Sequence, residues 1–342
     1  MDIIIVGAGP VGLYLANLLE KKLDVLVLDK NPDFGKKADS GLYSTKISDF
    51  IPVRQSWIDH EVSSARLHSP TGQVIEMGKP ATAAYVCDRE KFTASLANRV
   101  KSKILLKATV NRIDISDSVT VETSRGKYEA HMVVGCDGAS SVVRKHFLVK
   151  PDKILNGVIA IKKEPNKDSQ VDLYFDKSLI KDGFFWKIPR GETTEYGALG
   201  TNVNYSYLET FFKIKDYEKR AAFMNLGLFK TYFPRAILVG EAAGQVKPWS
   251  LGGIIFGFTC AQIASEIIFE AFDRNDFSES FLKRYDDSWK KKIGKTIRTG
   301  IFFREMFEKM DNDSLERYFK KVKMLPYLSR LDMDFPSLEL FG

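Results

Sequence analysis

Three glycines near the amino terminus are the first residues whose spacing suggests chemistry. They lie in Gly7-Ala8-Gly9-Pro10-Val11-Gly12, between an apolar β-branched run and a segment with helical spacing of leucines. Glycines at these positions allow a tight turn, close approach of the backbone to a pyrophosphate, and close packing of helix on strand. The helix amino terminus attracts the phosphate charge. Asp29, which ends the next apolar run and precedes Lys30, is placed to bind a ribose. We therefore predict a dinucleotide site that includes Asp29 and Lys30, without distinguishing FAD from NAD.

A second turn combines an acidic residue with glycine. In "VVGCDGASSVVRK", residues 133–145, an apolar strand runs into Asp137-Gly138, and Ser141 and Arg144 follow. An ordinary turn before a helix explains the Asp-Gly pair but neither of the two later residues. Asp137, Gly138 and Ser141 therefore form a candidate motif, and their role as cofactor contacts follows only from the family resemblance described after the other motifs.

A third segment joins an acidic residue to a long uncharged run. Gly240 and Glu241 follow a buried-type strand, and residues 248–265 carry no charge. A run of that length is a candidate membrane helix. A membrane span would place polar side chains and three glycines in lipid, directly after a strand that the sheet needs. We therefore expect a core helix that begins at Gly252-Gly253-Ile254.

The hydrophobic pattern predicts the elements that position these turns. Apolar runs at residues 2–6, 25–28, 104–106, 131–135 and 235–240 predict strands, and residues 11–22 predict the helix of a βαβ unit. Residues 151–235 change to strand-like segments separated by polar turns, and the chain after residue 275 is helical in pattern. The predicted fold class is α/β, or α+β overall, with a Rossmann-type domain, an interwoven antiparallel sheet and a helical carboxy-terminal region.

Composition limits the functional classes. The chain has 51 basic and 44 acidic residues, a formal net charge of +7. This charge fits an anionic partner, but it equally fits a lysine-rich surface without one. Because the sequence shows no motif of a module that reads a nucleic-acid groove, we expect no nucleic-acid partner. The three cysteines are widely spaced, so we expect no metal site and a reducing compartment. The amino terminus lacks a signal-peptide pattern, so we expect a cytoplasmic protein.

The three turns together resemble the FAD-dependent flavoprotein superfamily typified by p-hydroxybenzoate hydroxylase. The resemblance implies FAD as the cofactor, with Asp137 at the riboflavin. It places Glu241 at a ribityl hydroxyl, where the superfamily has aspartate. In "CDREKFTASLA" it implies that Arg89 reaches the FAD, although a solvated arginine at a helix start is the alternative. It also implies that Val110 meets the adenine. The remaining implied contacts are Gly240 at the ribityl chain and Gly252, Gly253 and Ile254 along the flavin.

A narrower resemblance is to the geranylgeranyl reductases, which saturate double bonds of prenyl chains. Their substrate domain carries a Tyr-x-Trp-x-Phe-Pro-Lys-Gly block followed by Gly-x-Gly, and this chain reads "FFWKIPRGETTEYGALG". Trp186, Pro189 and three glycines match. Phe184 stands for tyrosine and Arg190 for lysine. A core strand with a buried tryptophan explains the aromatic residues but not the whole spacing.

The resemblance implies a division into three parts. The FAD-binding domain comprises residues 1–57, 85–150 and 233–275. The antiparallel-sheet substrate domain comprises 58–84 and 151–232, and the helical carboxy-terminal region comprises 276–342. We expect apolar substrate walls at Phe184, Phe185, Trp186, Pro189, Trp249 and Phe256.

One departure from the family affects catalysis. Many members carry Cys-Gly near the flavin, where this chain has Ser40-Gly41. The offset from Asp29 places Ser40, Gly41 and Tyr43 beside the cofactor. Ser40 cannot supply a thiolate. The proton donor is not identified by the sequence, and the candidates are Tyr43, Ser40 and Tyr174.

The implied activity is reduction of C=C bonds in a polyprenyl lipid, of the archaeal membrane type, or in a prenylquinone, by hydride transfer from reduced flavin. Because no second Gly-x-Gly-x-x-Gly is visible, either NADPH or a ferredoxin is the electron donor. Two alternatives stay open: an FAD-dependent monooxygenase acting on an apolar or aromatic substrate, and a non-catalytic flavin-bearing protein of the membrane surface.

The segment from Lys283 to Arg304 bears on the lipid hypothesis. It has eight basic and two acidic residues, interleaved with apolar side chains at a spacing near four. This pattern is typical of a helix lying on the inner membrane surface. It is equally typical of a core-packed helix with a solvated basic face.

Overall fold

The computed structural model describes residues 1–35, 38–78, 81–323 and 334. The first strands are β1 (Ile3–Val6), β2 (Val25–Leu28), β3 (Leu42–Ser44), β4 (Ile58–Val62), β5 (Ser64–His68), β6 (Val74–Gly78) and β7 (Ala84–Cys87). The next are β8 (Lys103–Leu105), β9 (Val110–Ile115), β10 (Val119–Thr123), β11 (Gly126–Ala130), β12 (Met132–Gly135) and β13 (Lys153–Lys162). The last are β14 (Gln170–Tyr174), β15 (Phe184–Pro189), β16 (Thr194–Gly200), β17 (Glu218–Leu226), β18 (Tyr232–Phe233) and β19 (Ala236–Leu238).

The α-helices are α1 (Pro10–Leu19), α2 (Arg89–Ala97), α3 (Val142–His146), α4 (Tyr205–Phe212), α5 (Ile254–Arg274), α6 (Glu279–Trp289), α7 (Lys295–Lys309) and α8 (Asn312–Lys323). A π-helical turn, Lys290–Gly294, joins α6 to α7.

The chain forms two compact units, each made of three chain segments. Unit 1 comprises Met1–Lys36, Glu90–Lys153 and Asn225–Gly300, and unit 2 comprises Lys37–Arg89, Ile154–Met224 and Ile301–Gly342. Residues 276–300 thus belong to unit 1 and residues 38–57 to unit 2. The division into three domains given above stays a prediction.

Unit 1 is built on a six-stranded sheet with the order β18-β19-β12-β1-β2-β8. All neighbouring pairs are parallel except β18 with β19. Every residue of β1 is buried, because alternate side chains point into layers on opposite faces. One of these layers is the antiparallel sheet β11-β10-β9. This explains why β1 and β2 read as unbroken apolar runs.

Helix α5 packs against α1 in unit 1, and small residues bring the two helices close. Gly257 faces Val11, and a Cβ on Gly257 would lie 2.5 Å from Val11 Cγ2. Phe256, Phe258, Ile267 and Ile268 are buried. Helix α5 is long and apolar enough to cross a membrane. However, about two thirds of its most apolar 18-residue stretch is buried inside the protein. The predicted core helix is therefore observed.

Unit 2 contains the seven-stranded sheet β17-β13-β16-β15-β14-β5-β6 and the three-stranded sheet β3-β7-β4. One face of the large sheet carries Leu173 and Ile188, which pack on Val62 and Val86 of the small sheet. The opposite face carries Phe185, which packs beneath α4. The predicted sheet is observed with one difference: β14 pairs with β5 in parallel, whereas β13, β14, β15 and β16 pair antiparallel as predicted. Helix α4, between β16 and β17, was not predicted.

The basic carboxy-terminal segment combines buried and exposed apolar residues. Trp289, Ile293 and Ile297 are fully buried, so the core-packed alternative describes this stretch. Further along α7, Phe302 is 57% exposed and Met306 is 44% exposed.

Candidate cofactor and substrate site

The glycine turn after β1 has the geometry of a phosphate loop. Gly7 has a φ of 111°, and a Cβ there would lie 2.4 Å from the Cys136 carbonyl oxygen. A Cβ on Gly12 would lie 2.0 Å from the Gly7 carbonyl oxygen. Gly9 caps α1, and beyond its two chain neighbours no atom of the described residues lies within 4 Å of the position its Cβ would take. Gly7 and Gly12 are therefore required by packing, whereas Gly9 faces open space. Pro10 follows as the first residue of α1.

Asp29 shapes this loop from the end of β2. Its Oδ2 accepts a hydrogen bond from the Ala8 backbone N–H at 2.7 Å, and its Oδ1 accepts one from the Asn31 N–H at 2.8 Å. The carboxylate predicted to bind a ribose therefore also fixes the glycine turn. Lys30, beside it, is exposed.

Asp137 and Ser141 act first on the local backbone. Asp137 Oδ2 accepts hydrogen bonds from the N–H groups of Val142 at 2.6 Å and Val143 at 3.3 Å. Ser141 Oγ accepts one from the Arg144 N–H at 2.9 Å, which caps α3. Gly138 supplies the positive φ of the turn, 72°. Burial raises the pKa of Asp137, although these hydrogen bonds oppose the shift. Its Oδ1 is buried without a hydrogen-bond partner among the described residues.

Arg144 connects two of the predicted cofactor segments. Its guanidinium is buried and donates to the Ala139 carbonyl at 2.5 Å and to the Ala242 carbonyl at 3.1 Å. Ala139 belongs to the Asp-Gly turn, and Ala242 to the 3₁₀ turn Gly240–Ala243. The sequence pattern contained Arg144, but it gave no indication that the side chain joins two turns.

A chain of hydrogen bonds through two polar residues that the sequence analysis missed stabilises the Gly240 turn. Gln245 is fully buried, and its Oε1 accepts the Gly240 N–H at 2.7 Å. Its Nε2 donates to the Tyr285 hydroxyl at 2.8 Å, which in turn donates to the Leu238 carbonyl at 2.9 Å. A glutamine in an apolar run was the only available signal. Glu241 lies on this turn and is half-buried.

The glycines before α5 are placed as predicted. Gly253 caps the helix, and Ile254 is its first residue. Among the predicted substrate walls in unit 1, Phe256 is fully buried in α5. Trp249 is half-buried, and a Cβ on Gly300 would lie 3.0 Å from its ring. Val110 begins β9 and is half-buried.

The predicted residues around position 40 lie in unit 2, where Gly41 and Tyr43 both donate hydrogen bonds to Asp39. Gly41 has a φ of 65°, and its N–H donates to Asp39 Oδ1 at 2.7 Å. Asp39 also forms an ion pair with Arg89 and accepts a hydrogen bond from the Tyr43 hydroxyl at 3.3 Å. Arg89 Nη1 donates to the same hydroxyl at 3.3 Å. Asp39 was missed, although an Asp two residues before a glycine is a turn signal.

Tyr43 is a weak acid in this environment. Burial raises the pKa of its hydroxyl well above the usual value, and Cys87 adds to the shift. The hydroxyl therefore stays protonated at neutral pH and donates a hydrogen bond to Asp39.

Arg190 stands at the centre of a buried polar network in unit 2. Its Nη1 donates to the Ser40 carbonyl at 2.7 Å and to Glu195 Oε2 at 3.1 Å. Its Nη2 donates to Asp59 Oδ2 at 2.8 Å and to the Cys87 carbonyl at 2.9 Å. The Arg190 side chain is 9% exposed and the Glu195 side chain is fully buried. Burial raises the pKa of Glu195 even though Arg190 lowers it.

Trp186 joins the same network through its ring nitrogen. Its Nε1–H donates to Glu195 Oε1 at 2.8 Å. Gly197 is its partner on β16, and a Cβ there would lie 2.0 Å from the indole ring. The second glycine-containing block therefore leaves the space that the tryptophan ring occupies.

The aromatic residues of β15 do not share one surface. Phe184 and Trp186 lie on one face of the sheet, with ring centroids 6.0 Å apart. Phe185 points to the other face, is fully buried, and stacks on Phe211 at 4.1 Å. Adjacent residues of a strand point in opposite directions, which separates Phe185 from its neighbours. Pro189 ends the strand and is buried.

Tyr174 lies on the same face as Phe185. Its ring stacks on His68 with centroids 4.4 Å apart and contacts Phe211 and Phe212. Burial raises the pKa of Tyr174 to about 12. The structure thus gives Tyr174 the surroundings of an aromatic core residue.

All three cysteines are buried free thiols. Burial raises the pKa of each, those of Cys136 and Cys260 well above the usual value. Among the described residues no group of three His, Cys, Asp or Glu side chains is placed to hold a metal ion.

Three observations show that the loops of unit 1 fit FAD. The space at Gly9 lets a phosphate approach the backbone, and the first turn of α1 offers N–H groups without helical partners. The unpartnered Oδ1 of Asp137 needs a hydrogen-bond donor, which a ribityl or riboflavin group provides. We therefore treat these loops as the cofactor site.

Comparisons of the sequence point to one group of enzymes. A digeranylgeranylglycerophospholipid reductase from Methanocaldococcus jannaschii is 26% identical, over 92% of this chain and 88% of its own. An enzyme of the same name from Methanopyrus kandleri is 28% identical over the same shares. One from Methanococcoides burtonii is 26% identical over 99% of this chain and 90% of its own. Residues 2–161 also match the family model described as lycopene cyclase protein.

Comparisons of the structure show the fold. A geranylgeranyl bacteriochlorophyll reductase-like protein from Thermoplasma acidophilum superposes with a TM-score of 0.87 at 21% identity, covering 99% of this chain and 94% of that one. Halogenase PltM, solved with phloroglucinol and FAD, gives a TM-score of 0.72 at 14% identity, covering 94% and 79%. The predicted α/β fold with a Rossmann-type part is confirmed.

Proposed function

We propose that this chain, a member of the geranylgeranyl reductase family of FAD-dependent oxidoreductases, reduces the C=C bonds of a geranylgeranyl lipid. The observation that carries the proposal is similarity over nine tenths of the chain to reductases named for digeranylgeranylglycerophospholipid. The cofactor loops described above support it, because the open space at Gly9 and the unpartnered Oδ1 of Asp137 suit the phosphate and ribityl groups of a flavin.

When bound and reduced by the electron donor, FAD would supply a hydride to one alkene carbon, and a proton would add to the other. The chain has three tasks around that transfer: to hold the cofactor, to position the prenyl chain away from water, and to provide a path for a proton. An isolated alkene has no carbonyl to polarise, so positioning carries most of the rate. Rigid loops, such as those fixed by Asp29 and Gln245, suit this task.

We propose that the prenyl chain lies along the face of β15 that carries Phe184 and Trp186. Both side chains are half-buried, so each retains surface for an apolar ligand. Phe185 and Tyr174 are assigned to packing instead, because they lie on the α4 face among other aromatic rings. Trp249, which is half-buried, stays a predicted wall, whereas Phe256 is fully buried and Pro189 is buried, so neither retains surface for a ligand.

The remaining site residues keep their predicted roles as proposals. Ser40, Gly41, Tyr43 and Arg89 are proposed FAD contacts on the family resemblance. The high pKa of Tyr43 makes it a better hydrogen-bond donor than proton source. A serine hydroxyl is a weaker acid still, so we propose that Ser40 contributes only by holding a water molecule that delivers the proton.

The electron donor is proposed to be NADPH or a ferredoxin. We also propose a cytoplasmic protein that touches the inner membrane surface through α7, where Phe302 and Met306 are exposed beside Lys309. Exchanging both apolar residues for serine is expected to reduce cosedimentation with vesicles containing anionic lipid. Equal cosedimentation of the two proteins contradicts this contact.

The reaction is tested with the FAD-loaded protein, anaerobic dithionite and digeranylgeranylglycerophospholipid. Mass spectrometry of the lipid is expected to show a ladder of products, each heavier by two hydrogens. The matched comparison is an incubation with the same enzyme under air with NADPH. Oxygen uptake with hydroxylated product, and no ladder under anaerobic conditions, would favour a monooxygenase and contradict the proposal.

A further inference from the structure

The Arg190 network links two regions of unit 2 that are far apart in sequence. Arg190 begins the turn between β15 and β16, and Ser40 lies 150 residues earlier. The four acceptors of Arg190 lie on four different segments, around residues 40, 59, 87 and 195. A guanidinium is suited to this, because its N–H groups diverge in a fixed planar fork.

The backbone around Gly41, next to the Ser40 carbonyl that Arg190 contacts, is tightly constrained. Gly41 lies against Cys87, whose N–H donates to the Gly41 carbonyl at 2.9 Å. A Cβ on Gly41 would lie 2.2 Å from the Cys87 carbonyl oxygen. Arg190 donates to that same Cys87 oxygen and also to the carbonyl of Ser40, the residue before Gly41. The guanidinium therefore holds both strands of this junction.

Glu195 connects the Arg190 network to the proposed substrate face. Glu195 accepts from Arg190 through Oε2 and from Trp186 through Oε1. Since Glu195 is fully buried, it needs both donors to offset the loss of water. The orientation of the Trp186 ring is thus coupled to the position of Arg190.

We propose that Arg190 is a positioning residue, which fixes the Ser40–Gly41 segment relative to Trp186 through this chain of hydrogen bonds. The inference rests on the proposed function for its effect on catalysis, since Trp186 is the proposed wall for the prenyl chain and Ser40–Gly41 the proposed flavin contact. The linkage itself stands on geometry alone.

Arg190→Lys tests the linkage. A lysine keeps the charge but offers a single ammonium, which cannot reach acceptors in four directions. Hydrogen exchange of the peptide containing residues 38–44 is expected to become about tenfold faster, the change that loss of one net hydrogen bond produces. The control is Arg112→Lys, because Arg112 forms an ion pair with Asp114 at the exposed surface of β9. This control is expected to leave exchange at 38–44 unchanged.

Glu195→Gln tests the other half of the network. Glutamine keeps the size and an acceptor for the Trp186 N–H, but it loses the charge that attracts Arg190. We expect a smaller increase in exchange at residues 38–44 and a changed Trp186 fluorescence, measured as the difference from Trp186→Phe in each background. This variant also keeps the test decisive if Arg190→Lys folds poorly.

Kinetics with the FAD-loaded protein separate positioning from stability. Well below the unfolding temperature, Arg190→Lys is expected to lower kcat about tenfold or more, with KM for the lipid changed about threefold or less. An inactive parent with faster exchange in Arg190→Lys would contradict the proposed function but support the linkage. Unchanged exchange at 38–44 in both variants would overturn the inference.

Discussion

At the residue scale, three charged side chains of unit 1 form hydrogen bonds with backbone groups of the predicted cofactor loops. Asp29 holds the glycine turn, Asp137 caps α3, and Arg144 joins two turns. Each of these groups is therefore oriented before a cofactor binds, which lowers the entropy cost of binding. Glu241 is the acidic residue of the Gly240 turn, at the position where the flavoprotein superfamily that the sequence resembles has aspartate.

Replacing Glu241 with alanine is expected to weaken FAD binding by roughly 10- to 100-fold, the loss of one charge-assisted hydrogen bond. The dissociation constant is measured by titrating apoprotein with FAD and following flavin fluorescence. Glu241→Asp is the matched control, because it restores the side chain of the family and keeps the charge. Retention of FAD by Glu241→Ala as tightly as by the parent would remove Glu241 from the site.

At the element scale, strand alternation decides which predicted residues can act together. Phe184 and Trp186 share one face, whereas Phe185 is buried with α4 on the other. Sequence spacing identified the aromatic block but not the direction of each ring. That direction depends on which face of the sheet each neighbouring layer covers.

The contact between α1 and α5 gives a stability prediction. Gly257→Ala places a methyl group 2.5 Å from Val11 Cγ2, inside any normal contact distance. We expect the free energy of unfolding to fall by about 1–3 kcal/mol, because α-helix and β-branched side chain both resist displacement. Urea unfolding followed by circular dichroism measures the change.

The double variant Val11→Ala/Gly257→Ala is expected to recover part of this loss, because it removes the methyl groups that clash. Glu266→Ala is the control, since Glu266 is exposed on the same helix and its loss is expected to change stability by less than about 0.5 kcal/mol. A Gly257→Ala variant as stable as the parent would contradict the close contact.

At the scale of the whole molecule, stability at low pH depends on buried carboxylates. Although burial raises the pKa of Asp172, hydrogen bonds from Arg66 and His68 outweigh it and lower the pKa overall. Arg66 donates to both oxygens, through Nε at 2.7 Å and Nη2 at 2.8 Å. A lowered carboxyl pKa stabilises the folded state above the unfolded value, about 3.9, and this contribution is lost as pH falls through the folded value.

Asp172→Asn is therefore expected to lower stability at pH 7 by about 1–3 kcal/mol and to flatten the loss of stability below about pH 4. Urea midpoints at pH 3, 4, 5 and 7 measure both effects. Asp114→Asn is the control, because Asp114 pairs with Arg112 at the exposed surface. Parallel pH curves for Asp172→Asn and the parent would contradict the assignment.

The features that the sequence predicted are the local ones. The βαβ unit, the three turns and the start of α5 each depend on residues within a short window, and each is observed. Helix α4 was missed because its tyrosines and phenylalanines favour strands, and only Asn204, which caps it, marked a helix start. The helix forms because its aromatic side chains cover Phe185 and Tyr196.

The features that the sequence could not predict depend on distant partners. Arg190 matched the motif, but its acceptors at Ser40 and Cys87 lie more than 100 residues away. Gln245 and Tyr285 lie 40 residues apart and give no joint signal. Contacts of this kind follow from the completed fold, so no local pattern contains them.

The arrangement of unit 1 has a consequence for synthesis on the ribosome. Its sheet places β12 between β1 and β19, and β19 ends at Leu238, so the strands needed for one layer are spread over most of the chain. A nascent chain that stops before Ala236 exposes the free edge of β12, an apolar strand without its neighbour. The cofactor loops are therefore completed late in translation, and the emerging chain depends on protection of that edge until about two thirds of the protein has been made.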